Sequence, residues 1–254
     1  MKLLLIGAGN MGGAMLQGLS EKEITVVESN ASRAMELKKM YPFITVVQEI
    51  PALEGFIVIL AIKPQSFSTL QTKGIAEGVI SIMAGVSLDK LRAGIMAKHY
   101  IRSMPNMAAL VKKSATSLCG DSALKDEAMD ILSSIGRCFW LESEKELDIA
   151  TGLVGSSPAW LALVAEALSD GAVNLGMKRE MTYQYIATLF EGVGEVLKEE
   201  HPALLKDKVM SPAGTTAAGY AKLEEGKVRD SFIKAMEASY ERAKGLSKVN
   251  RKKA

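Results

Sequence analysis

The first half of the chain alternates between short apolar runs and stretches in which apolar residues recur every three or four positions. The runs are "KLLLIG" (2–7), "ITVVE" (24–28), "ITVV" (44–47), "FIVILAI" (56–62), "VISIMA" (79–84) and "YIRSM" (100–104). Continuous apolar strands are those buried on both faces, and parallel strands need crossover connections, so the pattern predicts a parallel sheet covered by helices on either side. Between the first two runs, Met11, Ala14, Met15, Gly18 and Leu19 share one helical face. "SATSLCG" (114–120), a helix over 123–135 stopped by Gly136, and "CFWL" (138–141) are expected to extend the same sheet. Residues 1–143 therefore read as a doubly wound α/β domain.

After Ser143 the alternation stops, and 144–254 reads as helix throughout. "PAWLALVAEALSDGAVNLG" (158–176) is apolar nearly all round, with Glu166 the one charge in its first twelve residues. Such a helix must be covered on all sides. About 110 residues of helix bury it poorly by themselves, so this half is expected to supply a homodimer interface.

Composition removes several classes of function. The 31 basic and 29 acidic residues are spread along the 254-residue chain, giving a net charge of +2 and no basic stripe for nucleic acid or an anionic membrane. The closing "KVNRKKA" (248–254) reads as a solvated tail. Cys119 and Cys138 lack metal-ligand spacing, so no metal site is predicted and both read as small buried hydrophobes of a reducing compartment. No run of ~18 apolar residues is free of charge, and "MKLLLIGAG" is too short for a leader, so a soluble cytoplasmic protein is expected.

The chemistry begins at "GAGNMG" (7–12), a G-x-G-x-x-G between an apolar strand and an amphipathic helix. In that setting Gly7 makes the tight turn, Gly9 lets the backbone approach a pyrophosphate and Gly12 lets helix meet strand. Ala8, Asn10 and Met11 complete the loop, whose free N–H groups face the anion. Glu28, twenty-one positions after Gly7, suits the ribose hydroxyls of NADH, whereas Ser29, Asn30 and Arg33 suit the 2′-phosphate of NADPH. Both cofactors stay open. "LAIKP" (60–64) ends a strand at the carboxyl edge, where Lys63 is either a cofactor contact or the exposed end of a strand stopped by Pro64. "MPN" (104–106) ends another, and Asn106 can donate to a carboxamide or accept from one.

Hydride transfer from an alcohol requires a base. The two histidines are poorly placed for it: His99 precedes a strand at the amino edge, and His201 sits before Pro202 in a connection. "GLVGSSPAWLALVAEAL" contains no lysine, which counts against a β-hydroxyacid dehydrogenase. A protonated imine already attracts hydride, so C=N reduction asks less of the protein. "SPAGTT" (211–216) then becomes informative, with Ser211 and Pro212 expected as the cap and first turn of a helix. Helix N–H groups with the hydroxyls of Ser211, Thr215 and Thr216 form either a carboxylate site or an ordinary capped helix.

Over nearly its whole length the chain resembles the pyrroline-5-carboxylate reductases, in "IGAGNMGGAML", "AIKP", "AGVSLDKL", "RSMPNMAALV", "GSSPAWL" and, most specifically, "HPALLKDKVMSPAGTTAAG". The resemblance implies an N-terminal Rossmann domain, a C-terminal all-helical dimerisation domain, and dimers able to assemble into rings. It implies hydride transfer from NADPH or NADH to pyrroline-5-carboxylate, giving L-proline. Thr216 would meet the ring nitrogen, with Ser211, Gly214 and Thr215 on the carboxylate. Gly7 to Gly12, Ala61, Ile62, Lys63, Ala84, Met104, Pro105 and Asn106 would line the cofactor. Three departures stand out: Ala213 in place of a glycine, Met107-Ala108 in place of Thr-Pro, and Trp160 in place of Tyr. Ala213 matters only if its position needs positive φ or if its methyl crowds the carboxylate. Alternatives are a reductase of another cyclic imino acid and a dinucleotide-binding regulator without catalysis.

Overall fold

The computed structural model describes residues 2–20 and 22–249, without the side chains of 247–249. Most of the basic run 248–254 therefore lies outside the described residues. Eight strands form one sheet: β1 Lys2–Ile6, β2 Glu23–Val27, β3 Ile44–Val47, β4 Phe56–Leu60, β5 Gly78–Ser81, β6 Tyr100–Met104, β7 Ser114–Gly120 and β8 Gly136–Trp140. Their order is β3-β2-β1-β4-β5-β6-β7-β8. The first six strands of the chain are parallel, and β7 then runs antiparallel to β6 while β8 lies parallel to β7. This is the doubly wound arrangement with a two-stranded extension, and its order reverses between β1 and β4.

Helices α1 Asn10–Gly18, α2 Ala31–Met40, α3 Pro64–Phe67, α4 Leu88–Gly94 and α5 Lys125–Ser133 accompany the sheet. The central strands β1, β4, β5 and β6 bury both faces by alternation. Leu3 and Leu5 join Met15, Leu16, Leu37, Ile131 and Leu132 on one side, whereas Leu4 and Ile6 join Phe67 and Leu91 on the other.

Several expected boundaries move. The runs at 56–62 and 79–84 leave the ladder at Leu60 and Ser81. The helix expected over 123–135 is a 3-10 turn, Ser122–Leu124, followed by α5. Gly136 opens β8 rather than ending that helix. Its φ of +150° brings it so close to β7 that an added Cβ would stand 2.1 Å from the Ser114 carbonyl oxygen.

From Glu144 onward the described chain is helical: α6 Glu144–Ala150, a π-helical turn Thr151–Ser156, α7 Ser157–Asn174, α8 Arg179–Val196, α9 Pro202–Val209, α10 Thr215–Glu225 and α11 Val228–Val249. Contacts divide the chain into two units, one comprising the residues up to Ser156 together with those from Ala238 onward, the other Ser157–Glu237. In the second unit α7 and α8 form a hairpin closed by a buried hydrogen bond between the Ser169 and Thr182 hydroxyls, with Arg179 donating to Ser169 at 3.1 Å. By length and composition alone, Glu144–Asn174 is apolar enough to cross a membrane. Its first turns are held otherwise, because Glu144 and Asp148 are both ion-paired to Arg102 of β6.

Candidate active site

The glycine loop sits where the strand order reverses. Gly7 has φ +100°, and an added Cβ would stand 2.7 Å from the Ala61 carbonyl oxygen. A Cβ on Gly12 would stand 2.2 Å from the Gly7 carbonyl oxygen, so both glycines are required by backbone lying against backbone. Gly9 differs. It has φ −70°, nothing lies within 4 Å of its Cβ position, and it caps α1 without a side-chain hydrogen bond. With no acidic residue in that first turn, the open N–H groups of Asn10, Met11 and Gly12 suit a pyrophosphate anion.

At the adenosine end, the Asn30 N–H donates to Glu28 Oε1 at 2.9 Å, and the Asn30 side chain caps α2 by accepting from the Arg33 N–H at 2.9 Å. Arg33 reaches back over the glycine loop, its Nη2 donating to the Ala8 carbonyl at 3.4 Å. Glu28, Asn30, Arg33 and Ala8 thus form one cluster, with Ser29 exposed beside it. The Glu28 carboxylate is partly engaged by its own loop, and the half-exposed Arg33 guanidinium is held by Glu36 Oε2 at 3.3 Å as well as by the Ala8 carbonyl.

Beyond the switch point, the Ala61 N–H donates to the Ile6 carbonyl at 2.9 Å, which locks the end of β4 beside the glycine loop. Ile62 follows, and Lys63 is exposed at the N-cap of α3 with Pro64 at the first helical position. Ala84 precedes Gly85, whose φ is +71°. Met104 and Pro105 close β6.

Asn106 is more committed than sequence suggests. Its Nδ2 donates to the Val154 carbonyl at 3.1 Å, and its Oδ1 accepts from the Ala108 N–H at 3.1 Å. One amide hydrogen remains for any other partner. The Oδ1 bond also explains why Ala108 suits this chain, since a proline there has no N–H to donate.

In the second unit, Ser211 to Gly214 form a tight turn closed by the Gly214 N–H donating to the Ser211 carbonyl at 3.0 Å. Ser211 and Pro212 are not the start of the helix: Gly214 is the N-cap and Thr215 the first helical residue of α10. The reason is Ala213, whose φ of +57° is left-handed and incompatible with helix. Proline second and a positive φ third is the pattern of a type II turn. An added Cβ on Gly214 would meet Ser211 Oγ at 2.3 Å and the Ser211 carbonyl oxygen at 3.1 Å, so a side chain there would turn the Ser211 hydroxyl away. The α10 terminus has no side-chain cap and no acid in its first turn, and among the described residues the Ser211, Thr215 and Thr216 hydroxyls have no hydrogen-bond partner. Upstream, His201 caps α9 by accepting from the Ala203 N–H at Nδ1.

Sequence reasoning missed Arg102. Its side chain is 3% exposed, with Nη1 donating to Glu144 Oε1 at 2.6 Å and Nη2 to Asp148 Oδ1 at 3.1 Å. The signal was present, since an arginine in the middle of the buried strand "YIRSM" demands a charged partner.

Against known proteins, the chain is 36% identical over 265 aligned residues to the pyrroline-5-carboxylate reductase of Synechocystis sp., covering 97% of this chain and 98% of that one. The chain belongs to the pyrroline-5-carboxylate reductase family. Residues 144–246 match the model for pyrroline-5-carboxylate reductase dimerisation, and residues 2–85 that for the F420-dependent NADP oxidoreductases. The solved reductase of Coxiella burnetii superposes with a TM-score of 0.85 at 29% identity, covering 96% of this chain and 98% of that one. The Plasmodium falciparum reductase, solved with NADP bound, gives 0.79 at 26% identity, with 97% and 98% covered. This member of the reductase family is an NAD(P)H-dependent oxidoreductase with a dinucleotide-binding domain and a helical dimerisation domain.

Proposed function

We infer that this chain reduces the C=N bond of 1-pyrroline-5-carboxylate to give L-proline, the last step of proline biosynthesis. The observation that carries this reading is the start of α10, an uncapped helix terminus with three unengaged hydroxyls in the stretch most specific to the family. The Thr215 N–H with the Ser211 and Thr215 hydroxyls holds the substrate carboxylate against Gly214, whose own N–H closes the turn, and Thr216 meets the ring nitrogen.

NADPH or NADH supplies the hydride when bound. The open cradle at Gly9 and the donors of Asn10 to Gly12 fit its pyrophosphate. Ala8 and Met11 complete that loop, while Ala61, Ile62, Lys63, Pro64, Ala84, Met104 and Pro105 form the carboxyl-edge wall. Asn106 contributes its one remaining amide hydrogen. Glu28, Ser29, Asn30 and Arg33 receive the adenosine ribose, and the half-exposed guanidinium of Arg33, paired with Glu36, is the group that supports use of NADPH.

The functional division falls at Ser143, with 1–143 for dinucleotide and 144–254 for substrate and dimerisation. It is supported by Ser143 capping α6, where its hydroxyl accepts from the Glu146 N–H. The helices assemble two copies. Leu163, Leu175 and Tyr185 are 64%, 91% and 61% exposed, and an apolar groove runs along Tyr185, Leu189, Val193, Val196 and Leu205. Rings of such dimers, and a cytoplasmic location, accord with this reading.

The test is steady-state oxidation of NADPH and NADH with pyrroline-5-carboxylate, and with the six-membered imine as comparison. Turnover with proline as product is expected. Preference for the larger ring would select the other cyclic imino acid, and cofactor binding without turnover would select the regulator.

A further inference from the structure

Arg102 lies on β6 two residues before Met104, and its guanidinium hydrogen bonds go to none of the glycine-loop residues. It is nevertheless the point where three separate segments are tied. Its two terminal nitrogens reach Glu144 and Asp148, one turn apart on α6. Glu144 Oε1 also accepts the Leu88 N–H at 3.0 Å, so the same carboxylate oxygen holds the start of α4, immediately after the Ala84–Gly85 loop. The α6 segment is tied again at its far end, where the π-helical turn presents the Val154 carbonyl to Asn106. Ala84, Gly85, Asp148, Thr151 and Ser156 line one small cavity of about 120 Å³ together with residues of α11, so the α6 segment and that loop are two of its walls.

A buried guanidinium is retained at a desolvation cost that an apolar side chain of similar size would avoid, while its two acids are only partly buried. Apolar contacts slide, however, whereas a planar guanidinium bonded to two carboxylates fixes register. Arg102 Nε is buried without a partner, so the side chain spends its hydrogen bonds on these two acids alone.

We propose that Arg102 is a positioning residue for the cofactor: through Glu144 and Asp148 it sets the Ala84–Leu88 loop and the Met104–Asn106 strand end in register with each other. This rests on the proposed function, because it assumes that those two segments line the nicotinamide cofactor. A displacement of about 1 Å at such a wall is enough to change rates by about a hundredfold.

Three variants of the full-length protein test it, read by the NADPH dissociation constant from fluorescence, kcat, KM for the imine and melting temperature. Arg102→Lys keeps the charge but loses the two-pronged geometry. The triple change Arg102→Met, Glu144→Met, Asp148→Leu replaces the whole ion group with apolar side chains. Leu88→Pro removes the tethering N–H together with part of a side chain packed against the core, at a first helical position where proline is favoured and after a Ser87 already extended at ψ 161°, and Leu88→Ala, which trims the same side chain but keeps the N–H, is its control. The NADPH dissociation constant is expected to rise about tenfold in the first two and severalfold in the third, with kcat falling and the imine KM nearly unchanged. A purely structural role would lower the melting temperature while leaving the constants of the folded enzyme at wild-type values, and that result overturns the proposal. If the Arg102 variants do not fold, Leu88→Pro decides alone: folded with wild-type NADPH affinity, it overturns the proposal. Failure of the wild-type protein to bind NADPH would instead sink the functional reading.

Discussion

The carbonyl of Ala61 lies directly under Gly7, 2.7 Å from where a Cβ would stand, with Gly7 itself at φ +100°. Gly7→Ala is therefore doubly penalised, by left-handed backbone and by contact with a backbone atom that cannot move aside. A loss of about 2–3 kcal/mol is expected, read as a lower melting temperature.

Gly9 gives the contrasting outcome within the same motif. Its φ is −70° and its Cβ position is open, so Gly9→Ala is expected to melt like the wild type. Its methyl would occupy the anion's space, weakening NADPH binding at least tenfold, or about 1.4 kcal/mol. Unchanged affinity, measured by fluorescence titration, would place the pyrophosphate elsewhere.

Ala213 holds a left-handed φ of +57° in the turn before α10. Ala213→Gly relieves that conformation and is expected to stabilise the protein by about 0.5–1 kcal/mol, less any gain in unfolded-chain entropy. Chemical denaturation would measure it, and a destabilised variant would mean that the alanine methyl is used elsewhere.

Thr216 is exposed and makes no hydrogen bond to another described residue, so its loss should not disturb the fold. Thr216→Ala is expected to keep NADPH affinity and melting temperature while turnover falls about a hundredfold. Full activity in this variant would remove Thr216 from the mechanism.

Burial pushes the Cys119 thiol from 9.0 up to about 12, partly offset by the nearby Arg102 charge, and pushes Cys138 up to about 11. The native state keeps these protons while the unfolded chain ionises, so their contribution to stability is full below pH 9 and is lost as pH rises through 11–12. At pH 8.5 alkylation of the native protein should be slow and should follow urea unfolding, as read by mass spectrometry. Cys119 is buried and Cys138 only half-buried, so rapid labelling of Cys119 without urea would contradict the structure.

Much of the protein was determined by its sequence. Strands buried on both faces must be continuously apolar, which made β1 to β6 legible as a parallel sheet. The spacing of Gly7, Gly9 and Gly12 between strand and helix carried the dinucleotide loop, because each glycine answers a separate steric need. "SPAGTT" marked a polar interruption among helices.

Tertiary structure decided the rest. An alanine gives no sign of positive φ, so the start of α10 at Thr215 instead of Ser211 depended on the turn that the folded chain closes. Asn106 looked free for a ligand until Val154, 48 residues away, took its amide nitrogen. Arg102 meets its acids 42 and 46 residues along the chain. Local pattern records how each residue is shielded from water, whereas the partner of a buried charge is set by which distant segments the fold brings together.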